Sequence, residues 1–484
     1  MALRARLTPD PVAPYDRPTP RRGLEVNLRI VIIGAGEIGS NLARSLSADH
    51  DVVVVDILEQ AISTLADELD VETRLGSGAD PELLRSLGLD RTELFIAVTD
   101  ADETNMMAVS IASQYLPKDA TRIGRIRNRA YLADPSLHAR FGLDIVINPE
   151  GLLADKIRRL LEIPGAYDVL QFEGGRVVVV AFRVRAGGPL DGQTVAKLAE
   201  HRSRLDFVIG ALLRPPGPGG NRQKVIIPGG NDVLAAGDLA YFVTLRERLD
   251  DLCAWIRPDE QAARSVLVAG GGENSIRIAE VLSEAGFRTR LMIPKEMQAR
   301  EASERLERAT VLHADCTELE DLADILAEGI DTYVAASKSE AVNVLTAMMA
   351  RKLGTQRTVT VTQRFDFMRM IKSVHDGVVL NPFDIAAAQV LRAIHNLKVL
   401  DVHLFAGEDA EALELVVPKG SPLVEVPLKD ARFPKGSLAT LIIRDGEIRI
   451  PRGGDTIQAG DRMVVFCRRG SMGALERLMD PDLK

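Results

Sequence analysis

The chain has 484 residues, of which 46% are hydrophobic, 27% charged and only 4% aromatic, and its net charge at neutral pH is −9. That length accommodates several domains of ordinary soluble composition. The negative balance and the scarcity of aromatic rings exclude a sequence-wide case for nucleic acid as a partner.

Residues 1–26 read as a disordered tail. Five prolines and the arginines Arg4, Arg6, Arg17, Arg21 and Arg22 leave no continuous apolar core, so a secretory signal is not expected. From residue 27 to 150, short β-branched runs alternate with helical stretches. Ile30–Ile33, Val52–Val55, Glu72–Leu75, Leu94–Val98, Arg122–Ile126 and Ile145–Ile147 read as strands, and Gly39–Ala48 and Glu59–Glu68 as helices between them. Such alternation predicts an α/β fold, a Rossmann-like doubly wound parallel sheet with right-handed crossovers. Residues 165–250 follow as a small, strand-rich α+β module with a short helix near Gln193–Glu200, and a partly helical stretch, Arg246–Arg264, leads onward.

The pattern then repeats. Ile30–Ile33 with Gly34-Ala35-Gly36-Glu37-Ile38-Gly39 returns as Val266–Ala269 with Gly270-Gly271-Gly272-Glu273-Asn274-Ser275. Ile147-Asn148-Pro149 is echoed by Leu380-Asn381-Pro382, and Thr99–Asn105 by Ser337–Asn343. Gly237-Asp238 near the end of the first small module matches Gly460-Asp461 in the second. The expected order is therefore large, small, large, small, with the second large unit at 264–383 and the second small one at 398–470.

The first copy carries the complete fingerprint for a dinucleotide. Gly34, Gly36 and Gly39 follow a strand and open a helix: Gly34 for the tight turn, Gly36 for close approach of a pyrophosphate, Gly39 for helix–strand packing. The helix N-terminus offers free N–H groups to the phosphates. Asp56, at the end of the second strand, is placed to accept hydrogen bonds from a ribose diol, which favours NAD over NADP. Gly76–Asp80, Thr99–Asn105 and Arg125-Ile126-Arg127 sit at strand carboxyl ends, where such sheets bind ligands. Arg125 and Arg127 share a strand face, suited to phosphates or to a partner's carboxylate; Glu103 and Asn105 suit either the ligand or the start and cap of a helix. The second copy has Ser275 for the third glycine, Pro294 in the place of Asp56, and Val361 and Gln363 for the arginines, so it is expected to bind no dinucleotide or to bind weakly, with Lys295 and Lys338 as its remaining cations.

Read in this order, the sequence resembles the TrkA family of Trk potassium-uptake regulators, built from two RCK units. The resemblance rests on Gly34–Gly39, Asp56, Ala97-Val98-Thr99 with Asp102–Asn105, Arg125–Arg127, Pro164-Gly165-Ala166 and the Gly-Asp endings, and runs from about Leu28 to the end. It implies RCK-N domains at 27–150 and 264–383 and RCK-C domains at 165–250 and 398–470. It also implies NAD or NADH, and at the same site ATP or ADP, held by Gly34, Ala35, Gly36, Glu37, Ile38, Gly39, Asp56, Ile57, Gly76, Ser77, Thr99, Glu103, Asn105, Arg125 and Arg127. The implied partners are a membrane potassium transporter with a Trk- or Ktr-type pore subunit and further copies of the chain, in a dimer or tetrameric ring at the cytoplasmic face of the membrane.

No catalytic or metal-binding residues are expected. An NAD-dependent oxidoreductase would need a positioned acid or base near the nicotinamide, and none stands out; a regulator of a different cation system is the other alternative. Cys253, Cys316 and Cys467 lie far apart without metal spacing and read as small hydrophobes in a reducing compartment, and the seven histidines form no ligand pair. No apolar run approaches the ~20 residues of a membrane helix.

Overall fold

A computed structural model describes residues 27–217, 223–363, 377–394, 399–405 and 410–479. The N-terminal tail and residues 218–222 of the first small module lie outside these. Strands β1 (Arg29–Ile33) and β2 (Asp51–Asp56) are nearly unbroken β-branched runs, and every residue of β1 is buried. Runs apolar on both faces are what a parallel sheet covered on both sides requires. With β3 (Glu72–Leu75), β4 (Leu94–Ala97), β5 (Thr121–Arg125) and β6 (Ile145–Ile147) they form a parallel sheet in the order β3-β2-β1-β4-β5-β6. This is the doubly wound order, and its switch point falls between β1 and β4.

The first small module follows as β7 (Asp168–Phe172), β8 (Val177–Arg183), β9 (Phe207–Arg214), β10 (Lys224–Ile226) and β11 (Leu239–Leu245), an antiparallel sheet ordered β10-β9-β11-β8-β7. The second half repeats both. Strands β12 (Ser265–Ala269), β13 (Arg288–Ile293), β14 (Thr310–His313), β15 (Thr332–Ala335), β16 (Arg357–Val361) and β17 (Val378–Leu380) pair in the order β14-β13-β12-β15-β16-β17. Strands β18 (Val399–Phe405), β19 (Ala410–Val416), β20 (Ser437–Arg444), β21 (Glu447–Arg449) and β22 (Arg462–Arg468) pair as β18-β19-β22-β20-β21.

The chain divides into two compact units that cut across the sequence order. One joins Glu25–Ile163 to Ala262–Ile394, the other Pro164–Gln261 to His395–Lys484. Like thus packs with like.

In the first unit the packing of the large sheets is reciprocal. The Pro149–Glu162 helix of the first half lies against the Glu273–Glu284 helix of the second, and the Pro382–Ile394 helix of the second lies against the Glu37–Leu46 helix of the first. The repeated Asn-Pro pair starts both reaching helices. Asn148 accepts from the N–H of Gly151 at 3.1 Å, and Asn381 accepts from Phe383 at 2.8 Å. A proline in the first turn loses no hydrogen bond, because its missing N–H would have had no intrahelical partner. Leu153, Ile157, Leu160 and Leu161 are fully buried along the first of these helices.

In the second unit the two small sheets share one core. Val179, Ala181, Tyr241 and Val243 of the first meet Ala412, Leu441, Val464 and Phe466 of the second. Arg462 adds ion pairs to Glu414 and, across the interface, to Glu173. Each small module runs past its expected end, at 250 or 470, into a closing helix, Leu249–Ile256 or Met472–Met479. Trp255 on the first stacks on Phe207. Burial pushes the Cys253 and Cys467 thiols up to about 12, in keeping with cysteines that act as small hydrophobes. The short helix expected over Gln193–Glu200 spans Val195–Leu198.

The Gly-Asp endings have a structural cause. Gly237 and Gly460 adopt φ values of 92° and 91°, which only glycine takes without strain. The aspartate that follows then turns inward. Asp238 holds Arg214 at 2.7 and 2.9 Å, and Asp461 holds Arg444 at 2.7 and 2.8 Å and accepts from the N–H of Gln458 at 2.7 Å. Burial alone would raise the Asp461 pKa, but Arg444 and the Gln458 N–H outweigh it and hold the carboxyl below its ordinary value. A carboxylate with a depressed folded-state pKa contributes stability above its unfolded value, about 3.9, and loses it as pH falls through the folded value. Removing one partner of a buried pair strands the other, so Asp461→Ala is expected to cost about 3 kcal/mol at pH 7. The difference between wild type and variant in urea-unfolding midpoint should shrink as the pH is lowered below 4.

Candidate nucleotide-binding site

A cleft of about 610 Å³ opens at the carboxyl ends of β1, β2 and β4, a size suited to a nucleotide. The glycine turn forms its floor. Gly34 has φ 106°, and a Cβ there would lie 3.0 Å from the Thr99 backbone nitrogen. A Cβ on Gly39 would fall 1.8 Å from the Gly34 carbonyl oxygen, so this glycine serves helix–strand contact and does not line the cleft. Gly36 differs from both. Apart from its chain neighbours, no atom of the described residues lies within 4 Å of where its Cβ would be, and it stands at the N-cap of the Glu37–Leu46 helix without a side-chain cap. Packing does not demand glycine there; open space facing a helix N-terminus is what an approaching phosphate needs.

Asp56 joins the turn to the next helix. Its Oδ2 accepts from the Ala35 N–H at 2.6 Å and its Oδ1 from the Leu58 N–H at 2.8 Å. Each carboxylate oxygen accepts more than one hydrogen bond, so both retain capacity for a ribose diol. Ile57 and Leu58, 70% and 62% exposed, stand beside it as an apolar wall at the mouth. Ala35, Glu37, Ile38, Gly76, Ser77, Thr99 and Arg125 also line the cleft.

Besides Gly39, three expected residues lie elsewhere, each for a visible reason. Asn105 is fully buried: its Oδ1 accepts from the Thr99 N–H at 2.9 Å, and its Nδ2 donates to the Arg125 carbonyl at 2.9 Å, which ties the ends of β4 and β5 together. Asn343 makes the same two bonds, to Ser337 and Val361, in the second half. Glu103 accepts from the Tyr131 hydroxyl at 3.0 Å. Neither residue caps the Asp102–Ala112 helix, whose N-cap is Ala101 without a side-chain bond. The Arg127 guanidinium turns to Asp102, 3.8 Å away, and to the Asp100 carbonyl.

Arg125 faces the cleft but is not available as a bare cation. Its guanidinium lies between Asp100, at 3.0 Å, and Glu150, at 2.5 Å. The Glu150 Oε2 is buried without a hydrogen-bond partner among the described residues. Arg125 and Arg127, expected to suit phosphates or a partner's carboxylate, are each held by carboxylates of this chain.

The second half completes the cleft. Asn274, Gln363, Asn381, Pro382 and Phe383 line it, carried there by the reciprocal helix packing. The second half's own glycine turn departs from the first. Ser275 replaces the third glycine and donates to the Gly272 carbonyl at 2.7 Å. The hydrogen-bond register also corrects the position matched to Asp56. Gly34 donates to the Val55 carbonyl and Gly270 to that of Met292, so Ile293, and not Pro294, is the counterpart of Asp56. The acid is absent either way. Glu273 beside that turn is held by Arg305 at 2.8 and 3.0 Å, which lowers its pKa.

Comparison with known proteins agrees with this geometry. The chain matches the TrkA-N domain over residues 30–149 and 266–382 and the TrkA-C domain over 179–257 and 412–480. The Trk system potassium uptake protein TrkA of Halomonas elongata is 30% identical over 445 residues, 91% of this chain and 95% of that protein. TrkA homolog 1 of Methanosarcina mazei is 30% identical over 459 residues, 93% of this chain and 99% of that protein. The GsuK channel bound to NAD has the same fold, with a TM-score of 0.62 at 16% identity over 96% of this chain and 81% of that one. The chain belongs to the TrkA family of Trk system potassium uptake proteins.

Proposed function

We propose that this chain is the nucleotide-sensing regulatory subunit of a Trk-type potassium uptake system, binding NAD or NADH, with ATP or ADP as alternative ligands, and gating a membrane potassium transporter. The observation that carries the reading is the composite cleft. A complete fingerprint in the first half is closed by neutral residues of the second, so a nucleotide seated there touches both. A ligand shifts a conformational equilibrium only by its difference in affinity for the two states. Contacts from two halves that shift against each other supply such a difference, and a tenfold preference is worth about 1.4 kcal/mol per site.

In this reading the chain assembles with further copies, as a dimer or tetrameric ring, and attaches to the cytoplasmic face of the membrane through the transporter's pore subunit. No helix among the described residues is long and apolar enough to cross a membrane. The nucleotide is bound and released unchanged. The names of the relatives, the bound NAD of the GsuK channel and the placement of Asp56 and Gly36 support this reading.

The test is potassium flux into vesicles holding the Trk-type pore subunit of the same organism, with the purified chain outside. Flux should change on adding NAD+ or NADH with wild type and should not respond with Asp56→Ala. Flux indifferent to the chain or to the nucleotide contradicts the proposal. Steady oxidation of NADH by carbonyl compounds would favour the oxidoreductase alternative.

A further inference from the structure

An ion pair joins the two halves beside the cleft. Arg129 of the first half lies 2.5 Å from Glu280 of the second, and its other terminal nitrogen lies 3.9 Å from Glu284. All three belong to the same compact unit. Each partner is carried by a stretch of chain whose beginning lines the cleft. On the first side, Thr99, Asp100 and Arg125 line it. Asp102, buried just past Asp100, accepts from the Arg127 N–H at 2.9 Å and the Asn128 N–H at 2.7 Å, which fixes the turn after β5. Asn128 then accepts from the Ala130 N–H at 2.9 Å and opens the short Arg129–Leu132 helix. On the second side, Asn274 lines the cleft from the first turn of the Glu273–Glu284 helix. Glu280 stands about 9 Å further along that helix, and Arg277 steadies its carboxylate at 2.8 Å. The repeat does not require this pair. Matching Glu273 to Glu37 puts Arg44 in the place of Glu280, and Arg44 turns to Glu68 of its own half at 2.5 Å.

We infer that Arg129 and Glu280 form a clasp that sets the spacing of the two cleft walls, each acting as a positioning residue for a ligand it does not touch. Neither side chain lines the cleft. A contact that holds two walls at the spacing a ligand requires lowers the ordering cost of binding. The pair contributes modestly to stability, because Arg129 is 57% exposed and water screens it. Its effect on binding comes from its place: it closes a loop that runs from Asp100 through Asp102 and Arg129 to Glu280 and back along the helix to Asn274. This inference rests on the nucleotide-binding reading and adds to it the link that keeps the two walls together.

Calorimetric titration of the full chain with NAD+ tests it. Arg129→Ala and Glu280→Gln should each weaken binding about two- to fivefold. The double variant should lose no more than the weaker-binding single variant, because the same interaction is missing in all three. Arg129→Lys keeps the charge and should stay closer to wild type than Arg129→Ala. High ionic strength should shrink the differences from wild type. The shared direction separates a clasp from a simple field effect. If the two charges acted only through the field they cast on an anionic ligand, Arg129→Ala would weaken binding and Glu280→Gln would strengthen it. Opposite signs, additive losses in the double variant, or wild-type affinity in both single variants overturn the inference and leave the nucleotide reading standing. Failure of wild type to bind NAD+ overturns that reading, and the clasp with it.

Discussion

Replacing Asp56 by alanine is expected to weaken NAD+ or NADH binding about 100-fold or more. Two charge-assisted hydrogen bonds to a ribose diol are lost, each worth about 1.5–3 kcal/mol, and every 1.4 kcal/mol is tenfold in affinity. The structure adds a second cost. Asp56 also accepts from the N–H groups of Ala35 and Leu58, so its removal loosens the glycine turn on which the pyrophosphate would rest. Asp56→Asn keeps one acceptor oxygen but presents an amide NH2 to one of these donors, and its affinity should fall between the two. Calorimetric titration of the three proteins gives the order. An unfolding free energy for Asp56→Ala within about 2 kcal/mol of wild type, as expected for two N–H groups that lose an acceptor, separates lost ligand contacts from lost fold.

The largest expected effect on stability lies in the other unit, where the two small sheets meet. Phe466 is fully buried, and its ring lies 2.8 Å from where a Cβ on Gly210 would stand. Gly210 sits at the irregularity in the pairing of β9 with β11, and the counterpart irregularity between β20 and β22 is occupied by Thr440. Glycine at one position and a large ring at the other fill a single volume. Phe466→Ala leaves a cavity and should cost about 3–5 kcal/mol. Gly210→Val overpacks the same place and should cost about 1–3 kcal/mol. Because they share one space, the costs should not add: Gly210→Ala combined with Phe466→Leu is expected to be less destabilised than the sum of its parts. Chemical unfolding followed separately by the fluorescence of Trp255, which stacks on Phe207 in the same unit, and by circular dichroism measures this.

Much of the fold was legible because its signals are local. The β-branched runs at Ile30–Ile33 and Val52–Val55 mark strands buried on both faces, and the six strands expected of the first sheet are found within a residue or two of their predicted ends. The repeat made the second sheet legible by analogy. Counting failed at one position. The Glu273–Glu284 helix is two residues longer than Glu37–Leu46, and the connection after it is one residue shorter. The net change is one residue, so the counterpart of Asp56 is Ile293, one past the equal-spacing position Met292 and one short of Pro294. The place of Asn105 and Arg127 at strand ends suits a ligand or a structural partner alike, and side-chain direction decides what each touches. Asn105 points into the sheet to join two strands, and Arg127 points to Asp102.

The contribution of the second half had no local signature. Asn274 and Gln363 are small neutral residues, set beside the cleft only because helices distant in the chain cross reciprocally. The Asn-Pro pair was visible in both halves, but its meaning, a capped start for the helix that reaches across, needed the packing. The second half therefore does more than repeat the first. It carries a degenerate turn of its own, and it also furnishes a wall of the first half's cleft.

The most direct test of a single sensing cleft per chain is the number of nucleotides bound at saturation. Equilibrium dialysis of the full-length protein against labelled NAD+ should give one per chain for wild type and close to none for Asp56→Ala at the same concentration. Two per chain, or undiminished binding by Asp56→Ala, would contradict it.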